Sequence, residues 1–243
     1  MYGVSASINN VEIRNVALTP DFQLQPEKIL AAADAQSKIL FICSPNNPSG
    51  NAAKREDIQY LLDNFSGIVV VDEAYIDFSE TASLLTVLNQ HPNLLVMQTF
   101  SKAWGLASLR LGMAFASPEL IAILNQIKPP YNISGLTQET VLAALPNKGK
   151  VDELIQKIIE ERTFLREELE KLPDVLKIHP SDANFLLVQV PDANRFYDGL
   201  IEEKVIVRNR STVLHCEGCL RITVGTRDET LALLQAFEKI ATN

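Results

Sequence analysis

The chain has 243 residues, 47% of them hydrophobic, with 22 Lys+Arg against 30 Asp+Glu and a formal net charge of -8, giving a sequence pI near 5.0. That acidity repels phosphate backbones and anionic lipid, so neither nucleic acid nor a membrane surface is expected as a partner. No run reaches the ~18 uninterrupted apolar residues of a membrane span, MYGVSASINN lacks a secretory signal pattern, and three cysteines in so long a chain suit a reducing, cytoplasmic setting.

Taken in chain order, the apolar runs Ile39 to Cys43, Ile68 to Val71 and Leu94 to Met97 are short and nearly continuous, the pattern of buried parallel strands. Between them, Ala52 to Phe65 and Thr81 to Gln90 place apolar residues at helical spacing. Strand, helix, strand, helix, strand predicts a right-handed, doubly wound α/β sheet. Leu109 to Ala116 adds a further strand, in which Gly112 marks a bulge or a close backbone approach. Past Pro129 and Pro130 come a helical stretch at Gln138 to Leu145 and a long amphipathic segment at Val151 to Leu172. Beyond these, strands are expected at Asn184 to Val190, Val205 to Val207 and Leu220 to Val224, with helices at Ala193 to Glu203 and Asp228 to Ile240. The expected division is a larger domain over 1–146 and a smaller α+β domain over 147–243.

Ligands of an open parallel sheet bind beyond the carboxyl ends of its strands, and there this sequence carries SPNNPSG, DEAYIDF and QTFSKAWGLASLRLG in succession. Singly, each has an ordinary explanation. Asn47-Pro48 with Gly50 is a turn composition, Asp72-Glu73 suits a helix start, and a lone Lys102 or Arg110 is usually a solvated charge. Together they suit one chemistry: a lysine that forms a Schiff base, an aspartate that pairs with a protonated ring nitrogen, and hydroxyl and arginine groups for a phosphate. Those are the needs of pyridoxal phosphate. A free lysine has a pKa of roughly 10.4, so only about one in a few thousand is neutral at pH 7, and condensation with an aldehyde traps that fraction.

The motifs SPNNPSG, DEAYIDF, TFSKAWGLASLRLG and CLRITVGT, in this order, resemble those of the histidinol-phosphate aminotransferases of fold-type I. The resemblance covers essentially the whole chain. It implies a fold-type I transferase, with part of a doubly wound, mainly parallel sheet and a smaller C-terminal α+β domain. It also implies a homodimer and a transamination between histidinol phosphate and 2-oxoglutarate. By position, Asn47 and Tyr75 would contact the cofactor's ring hydroxyl oxygen, Asp72 its ring nitrogen and Lys102 its aldehyde carbon, while Thr99, Ser101 and Arg110 would hold its phosphate. Arg221 would take a substrate anion and Arg208 the substrate phosphate, tasks that suit a guanidinium fork; Arg210 is left as a surface residue. Ser49, Trp104 and Ser108 stand where threonine, phenylalanine and glycine are commoner in the family. The family also has an upstream segment that supplies an arm, a phosphate-capping loop and an aromatic residue stacked on the cofactor. That residue would align just before Met1, and Tyr2 does not match it. On this basis the 243 residues alone are expected to fold poorly or bind cofactor weakly.

Rival readings are an aspartate or aromatic aminotransferase, a threonine-phosphate decarboxylase, or a non-catalytic remnant of the fold. Cys216 and Cys219 form a CxxC after His215, but no second ligand pair exists and the pair runs into a strand. It reads as two half-buried thiols at a turn and strand start, with no metal site expected.

Overall fold

The structure is a computed structural model that describes residues 2–242; Met1 and Asn243, the outer ends of the two expected domains, lie outside it. In chain order the elements are α1 (Tyr2–Ile8), α2 (Pro26–Ala32), β1 (Ile39–Cys43), α3 (Arg55–Asn64), β2 (Ile68–Asp72), β3 (Leu94–Thr99), β4 (Gly112–Ala116), α4 (Pro118–Ile127), α5 (Gly135–Ala144), α6 (Lys148–Leu169), β5 (Lys177–Ile178), β6 (Phe185–Gln189), α7 (Ala193–Glu202), β7 (Arg208–Asn209), β8 (Cys219–Thr223) and α8 (Arg227–Thr242).

The first sheet runs β1-β2-β3-β4. Its first three strands are parallel, with Cys43 opposite Asp72 and Asp72 opposite Met97, so their carboxyl ends finish level. β4 closes the edge antiparallel to β3. Val69, Val70 and Val71 are all buried, which explains why β2 reads as a continuous apolar run and not an alternating one. α3 forms because Ile58, Leu61, Leu62 and Phe65 fall on one face, and that face seals Ile42, Val69, Val71, Leu94 and Val96. Truncating the fully buried Leu61 would cost about 3 kcal/mol.

The second sheet is antiparallel, in the order β5-β6-β8-β7. On one face, Leu186, Val188, Leu220 and Ile222 pack under Leu165 and Leu169 of α6, Phe196 and Leu200 of α7, and Leu233 and Phe237 of α8. The N-terminus of α7 is capped by Asp192, whose Oδ1 accepts from the backbone N–H of Asn194 and Arg195 at 3.0 and 3.1 Å. The other face looks toward the first sheet: Leu187 and Cys219 meet Phe22 and Cys216, while Phe185 meets Tyr75, Phe78 and Ala103. The 22-residue α6 reaches both layers, giving Ile155 to the junction and Leu165 and Leu169 to the second core. Among the described residues no helix is long and apolar enough to cross a membrane.

Several expected elements shift. Thr81 to Gln90 is not an α-helix: Leu84–Gln90 is a 3-10 segment. Ser83 is held to the buried Glu73 at its start, leaving too few residues for a longer helix to propagate. Val205–Val207 is not paired; the ladder begins only at Arg208, because Val207 is committed to the second core. Strand pairing after Leu109 starts at Gly112, since Ala107–Leu109 forms a 3-10 turn ending in left-handed Arg110. At Gly112 a Cβ would stand 3.3 Å from the Gln98 carbonyl oxygen, the close approach its position suggested. The helix α4 is announced by Ser117, whose side chain caps Leu120 N ahead of Pro118, a start signal the expected elements omit. Cys216 and Cys219 are fully buried free thiols, not half-buried ones.

Candidate active site

Asn47 is presented by a turn clamped from both layers. The N–H of Gly50 donates to Asn46 O at 2.8 Å and that of Asn46 to Asn51 O at 2.9 Å, while Asn46 Nδ2 donates to Ser49 Oγ at 2.7 Å. Gly50 has φ +87°, and a Cβ there would lie 2.5 Å from Ser181 Oγ; glycine alone meets both demands. Across the junction, Asp182 N donates to Gly50 O at 2.8 Å and Asp182 Oδ2 accepts from Ala52 N at 2.8 Å. Held this way, Asn47 Oδ1 accepts from Arg221 Nη1 at 2.9 Å.

The adjacent carboxylates at the end of β2 part company, as strand alternation demands. Glu73 turns inward, 2% exposed. It accepts from Ser83 Oγ at 2.5 Å, Leu84 N at 2.7 Å and Gln98 Nε2 at 3.0 Å. Asp72 turns toward the cleft, where Oδ1 accepts from Ala74 N at 3.0 Å and Oδ2 from the Tyr2 hydroxyl. The Tyr2 ring stacks on Phe41 at 4.6 Å. Burial first, and then Asp72, raise the Tyr2 hydroxyl above its ordinary pKa. Burial and the same carboxylate push the Cys43 thiol up to about 11.

Lys102 sits in the turn after β3, shaped by Gly105 N donating to Lys102 O at 3.0 Å, Leu106 N to Phe100 O at 3.0 Å, and Gly105 at φ +66°. Its Nζ stands 5.1 Å from the centroid of the Tyr75 ring, and among the described residues it has no hydrogen-bond acceptor and no carboxylate partner. Tyr75 is itself buried and meets Phe185 edge-on at 5.2 Å. Thr99 Oγ1 accepts from Ser101 N at 3.0 Å and donates to Leu111 O at 3.3 Å. Arg110 holds a left-handed backbone, φ 54°, and its Nη1 donates to Ala107 O at 2.9 Å.

From the second sheet, Arg221 lays its guanidinium 4.9 Å over the Phe185 ring. Its Nε is buried without a partner. Burial lowers its pKa from the usual arginine value; Tyr75 opposes this, and Arg210 and Arg208 add like charge. Asn47, Tyr75, Lys102 and Arg221 thus converge through direct contacts. Asp72 is held apart from these four, by Tyr2 and Ala74 N, and among the described residues Thr99, Ser101 and Arg110 hydrogen-bond within their own turn. Arg208 is opposite Arg221 in the ladder but makes no side-chain hydrogen bond or ion pair. Arg210 corrects the sequence expectation: it is not a plain surface residue but half-buried, with its Nε sealed and unpartnered. Its signal in the sequence was the i, i+2 spacing from Arg208. Arg162, also unremarked in the sequence, ties the layers by donating from Nη1 to Phe78 O at 3.1 Å and Ala183 O at 2.7 Å.

Both the sequence and the fold are similar to those of known proteins. Residues 1–237 match the family model described as aminotransferase class I and II. The chain is 55% identical over 238 residues to the histidinol-phosphate aminotransferase of Cytophaga hutchinsonii, covering 98% of this chain and 68% of that protein. Its fold matches the crystal structure of the histidinol-phosphate aminotransferase from Clostridium acetobutylicum with TM-score 0.92 at 21% identity, covering 100% of this chain and 75% of that one. It also matches the Sinorhizobium meliloti histidinol-phosphate aminotransferase in complex with pyridoxal-5'-phosphate with TM-score 0.87 at 22% identity, covering 99% and 67%. The chain therefore belongs to the class I and II aminotransferase family and, within it, to the histidinol-phosphate aminotransferases.

Proposed function

We propose that the protein converts histidinol phosphate and 2-oxoglutarate to imidazole-acetol phosphate and glutamate, a step of histidine biosynthesis, with pyridoxal 5'-phosphate as cofactor. The observation that carries this reading is Lys102: an amine over Tyr75 with no acceptor or carboxylate among the described residues to occupy it, beyond the carboxyl end of a parallel sheet whose central strand ends in Asp72.

The residues present fit the cofactor. Lys102 Nζ is open to an aldehyde, and Asp72 takes one donor on each oxygen, leaving lone pairs for a ring N–H. When bound, pyridoxal phosphate supplies an electron sink for charge developing at the substrate's amine-bearing carbon. Lys102 would hold the cofactor and, once the substrate amine has displaced it, would move the proton at that carbon through its freed Nζ. Asp72 would keep a proton on the ring nitrogen, while Asn47 and Tyr75 would orient the ring through its hydroxyl oxygen. Thr99, Ser101 and Arg110 bind the cofactor phosphate. The left-handed backbone of Arg110 is a cost of roughly 1 kcal/mol, tolerated where it aims the guanidinium at an anion. Arg221 and Arg208 bind the anionic groups of the substrate.

The reading also takes 1–146 and 147–243 as a large and a small domain with the site between them. It places the protein in the cytoplasm as a homodimer. The exposed Ile123, Ile127, Leu136 and Leu142 on α4 and α5 support association, because large apolar side chains are costly to leave in water.

The test is to titrate pyridoxal phosphate into the protein and into Lys102→Ala, reading visible absorbance and turnover of histidinol phosphate with 2-oxoglutarate. A visible band and turnover lost together in Lys102→Ala are the expected result. Decarboxylation of threonine phosphate in place of transamination would overturn the reaction assigned, and no band in either protein would overturn the cofactor site.

A further inference from the structure

The second sheet carries a cationic face whose arginines have no ion-pair partner among the described residues. Arg208 and Arg221 are directly opposite in the β7–β8 ladder. The ladder continues one step as Arg210 N donates to Cys219 O at 2.8 Å. Side chains alternate with period two along a strand, so Arg208, Arg210 and Arg221 project from one face, the one that looks toward Asn47 and Tyr75. Among the described residues neither Arg208 nor Arg210 has a side-chain hydrogen bond or an ion pair, and Arg221 is engaged by Asn47, the Tyr75 hydroxyl and the Phe185 ring, with no carboxylate among them. Arg210 is the unusual member: half-buried, its Nε sealed from solvent, and no acceptor supplied. A chain with 30 acidic residues against 22 basic ones has acids to spare, yet among the described residues none is ion-paired with Arg208, Arg210 or Arg221. A buried donor without an acceptor and like charges side by side both weigh against the free fold, and a bound polyanion removes both penalties.

We infer that Arg210 is a specificity-determining residue that joins Arg208 in binding a dianionic phosphate monoester, so that this face distinguishes a phosphorylated substrate from a carboxylate one. The inference rests on the transamination reading above and assigns Arg210 a contact that reading leaves out. Arg221, turned toward Asn47 and Phe185, faces the reacting end. Arg210, two residues beyond Arg208, extends the same face away from it, which suits a ligand whose phosphate lies at the end opposite its amine. A guanidinium fork pairs bidentately with carboxylate and phosphate alike; two arginines side by side favour the phosphate because its three terminal oxygens and second negative charge can engage both forks at once.

The experiment compares the cofactor-loaded protein with Arg210→Gln and Arg210→Lys. KM and kcat are measured separately for histidinol phosphate and for 2-oxoglutarate, and the affinity for inorganic phosphate is measured by calorimetry. The expected result for Arg210→Gln is a KM for histidinol phosphate raised roughly tenfold and phosphate affinity lowered by a similar factor, with kcat and the 2-oxoglutarate KM within about twofold. Arg210→Lys recovers part of both losses, because charge survives while the fork does not. Unchanged phosphate affinity in both variants, or equal rises in both KM values, would overturn the inference. If the unsubstituted protein fails to turn over histidinol phosphate yet loses phosphate affinity on Arg210→Gln, the transamination reading fails and the phosphate contact stands. Unchanged unfolding midpoints show that neither variant acts by misfolding.

Discussion

The two walls of the cleft are built on opposite principles. On the first sheet, nearly every polar group near the site is tied down by the protein itself: Glu73 by Ser83, Leu84 and Gln98, Asn46 by Ser49, and Thr99 by Ser101 and Leu111. On the second sheet, among the described residues, Arg208 and Arg210 have no hydrogen-bond or ion-pair partner and Arg221 keeps an open Nε. A fixed geometry for a cofactor that stays needs the first arrangement, because each preformed hydrogen bond removes a degree of freedom before binding. A substrate that comes and goes suits the second, where donors wait for acceptors that the ligand brings.

The largest effect that would break this comparison is expected at Glu73. Glu73→Ala removes one buried acceptor from three donors and should destabilise the fold by about 3 kcal/mol, read as a lower denaturant midpoint with unchanged slope. A loss below about 1 kcal/mol would show that water replaces the carboxylate and that the first wall is not rigid as built.

Next in size are the thiols, one behind each wall and one at the turn that joins β7 to β8. Burial, the leading cause in each case, pushes Cys43 and Cys216 up to about 11 and Cys219 up to about 12. Thiolate is the reactive form, so alkylation of the folded protein at pH 8 should run roughly two hundredfold slower than in the unfolded chain, where the pKa is about 8.5. The sign for stability follows from the same values. The folded state holds these protons more tightly, so their contribution is full below about 8.5 and is lost as pH rises through about 11. Unfolding midpoints that stay level between pH 8 and pH 11 would contradict the burial of these groups.

Gly50→Ala is expected to cost about 2 kcal/mol, since φ +87° is strained for any Cβ. Ser181 cannot swing away from that Cβ without losing its bond to Phe185 O at 2.6 Å. Because Gly50 also presents Asn47, cofactor affinity should fall with stability; a stable variant with weakened cofactor binding would separate the two roles.

How much of this was legible in the sequence depended on how local the cause was. β1, β2 and β3 could be read because a strand buried on both faces is apolar throughout, and Val69 to Val71 needs no neighbour to declare itself. Asp72, Tyr75 and Lys102 could be singled out because the ends of successive strands must lie level, as Cys43, Asp72 and Met97 do. The i, i+2 spacing of Arg210 from Arg208 was the one hint of a shared face, and it gained force only from a ladder step onto Cys219 that the sequence does not show. Val205–Val207 looked like a strand by its β-branched residues, yet Val207 is claimed by the second core and the pairing slips to Arg208. The 3-10 form of Leu84–Gln90 likewise follows from a distant hold, Glu73 on Ser83.

The smallest expected effect is also the sharpest test of the second wall. Arg208 is exposed and unpartnered in the described structure, so Arg208→Gln removes a charge without stranding any acceptor. Its unfolding midpoint without added anion should move by no more than about 0.5 kcal/mol, and upward if relief from the like charges of Arg210 and Arg221 dominates. Adding inorganic phosphate should then stabilise the unsubstituted protein more than the variant, since a ligand that binds only the folded state raises stability in proportion to its affinity. A variant that is already destabilised in the absence of phosphate would mean that Arg208 holds the fold together, and the contrast between a wall tied by the protein and a wall tied by its ligand would not survive.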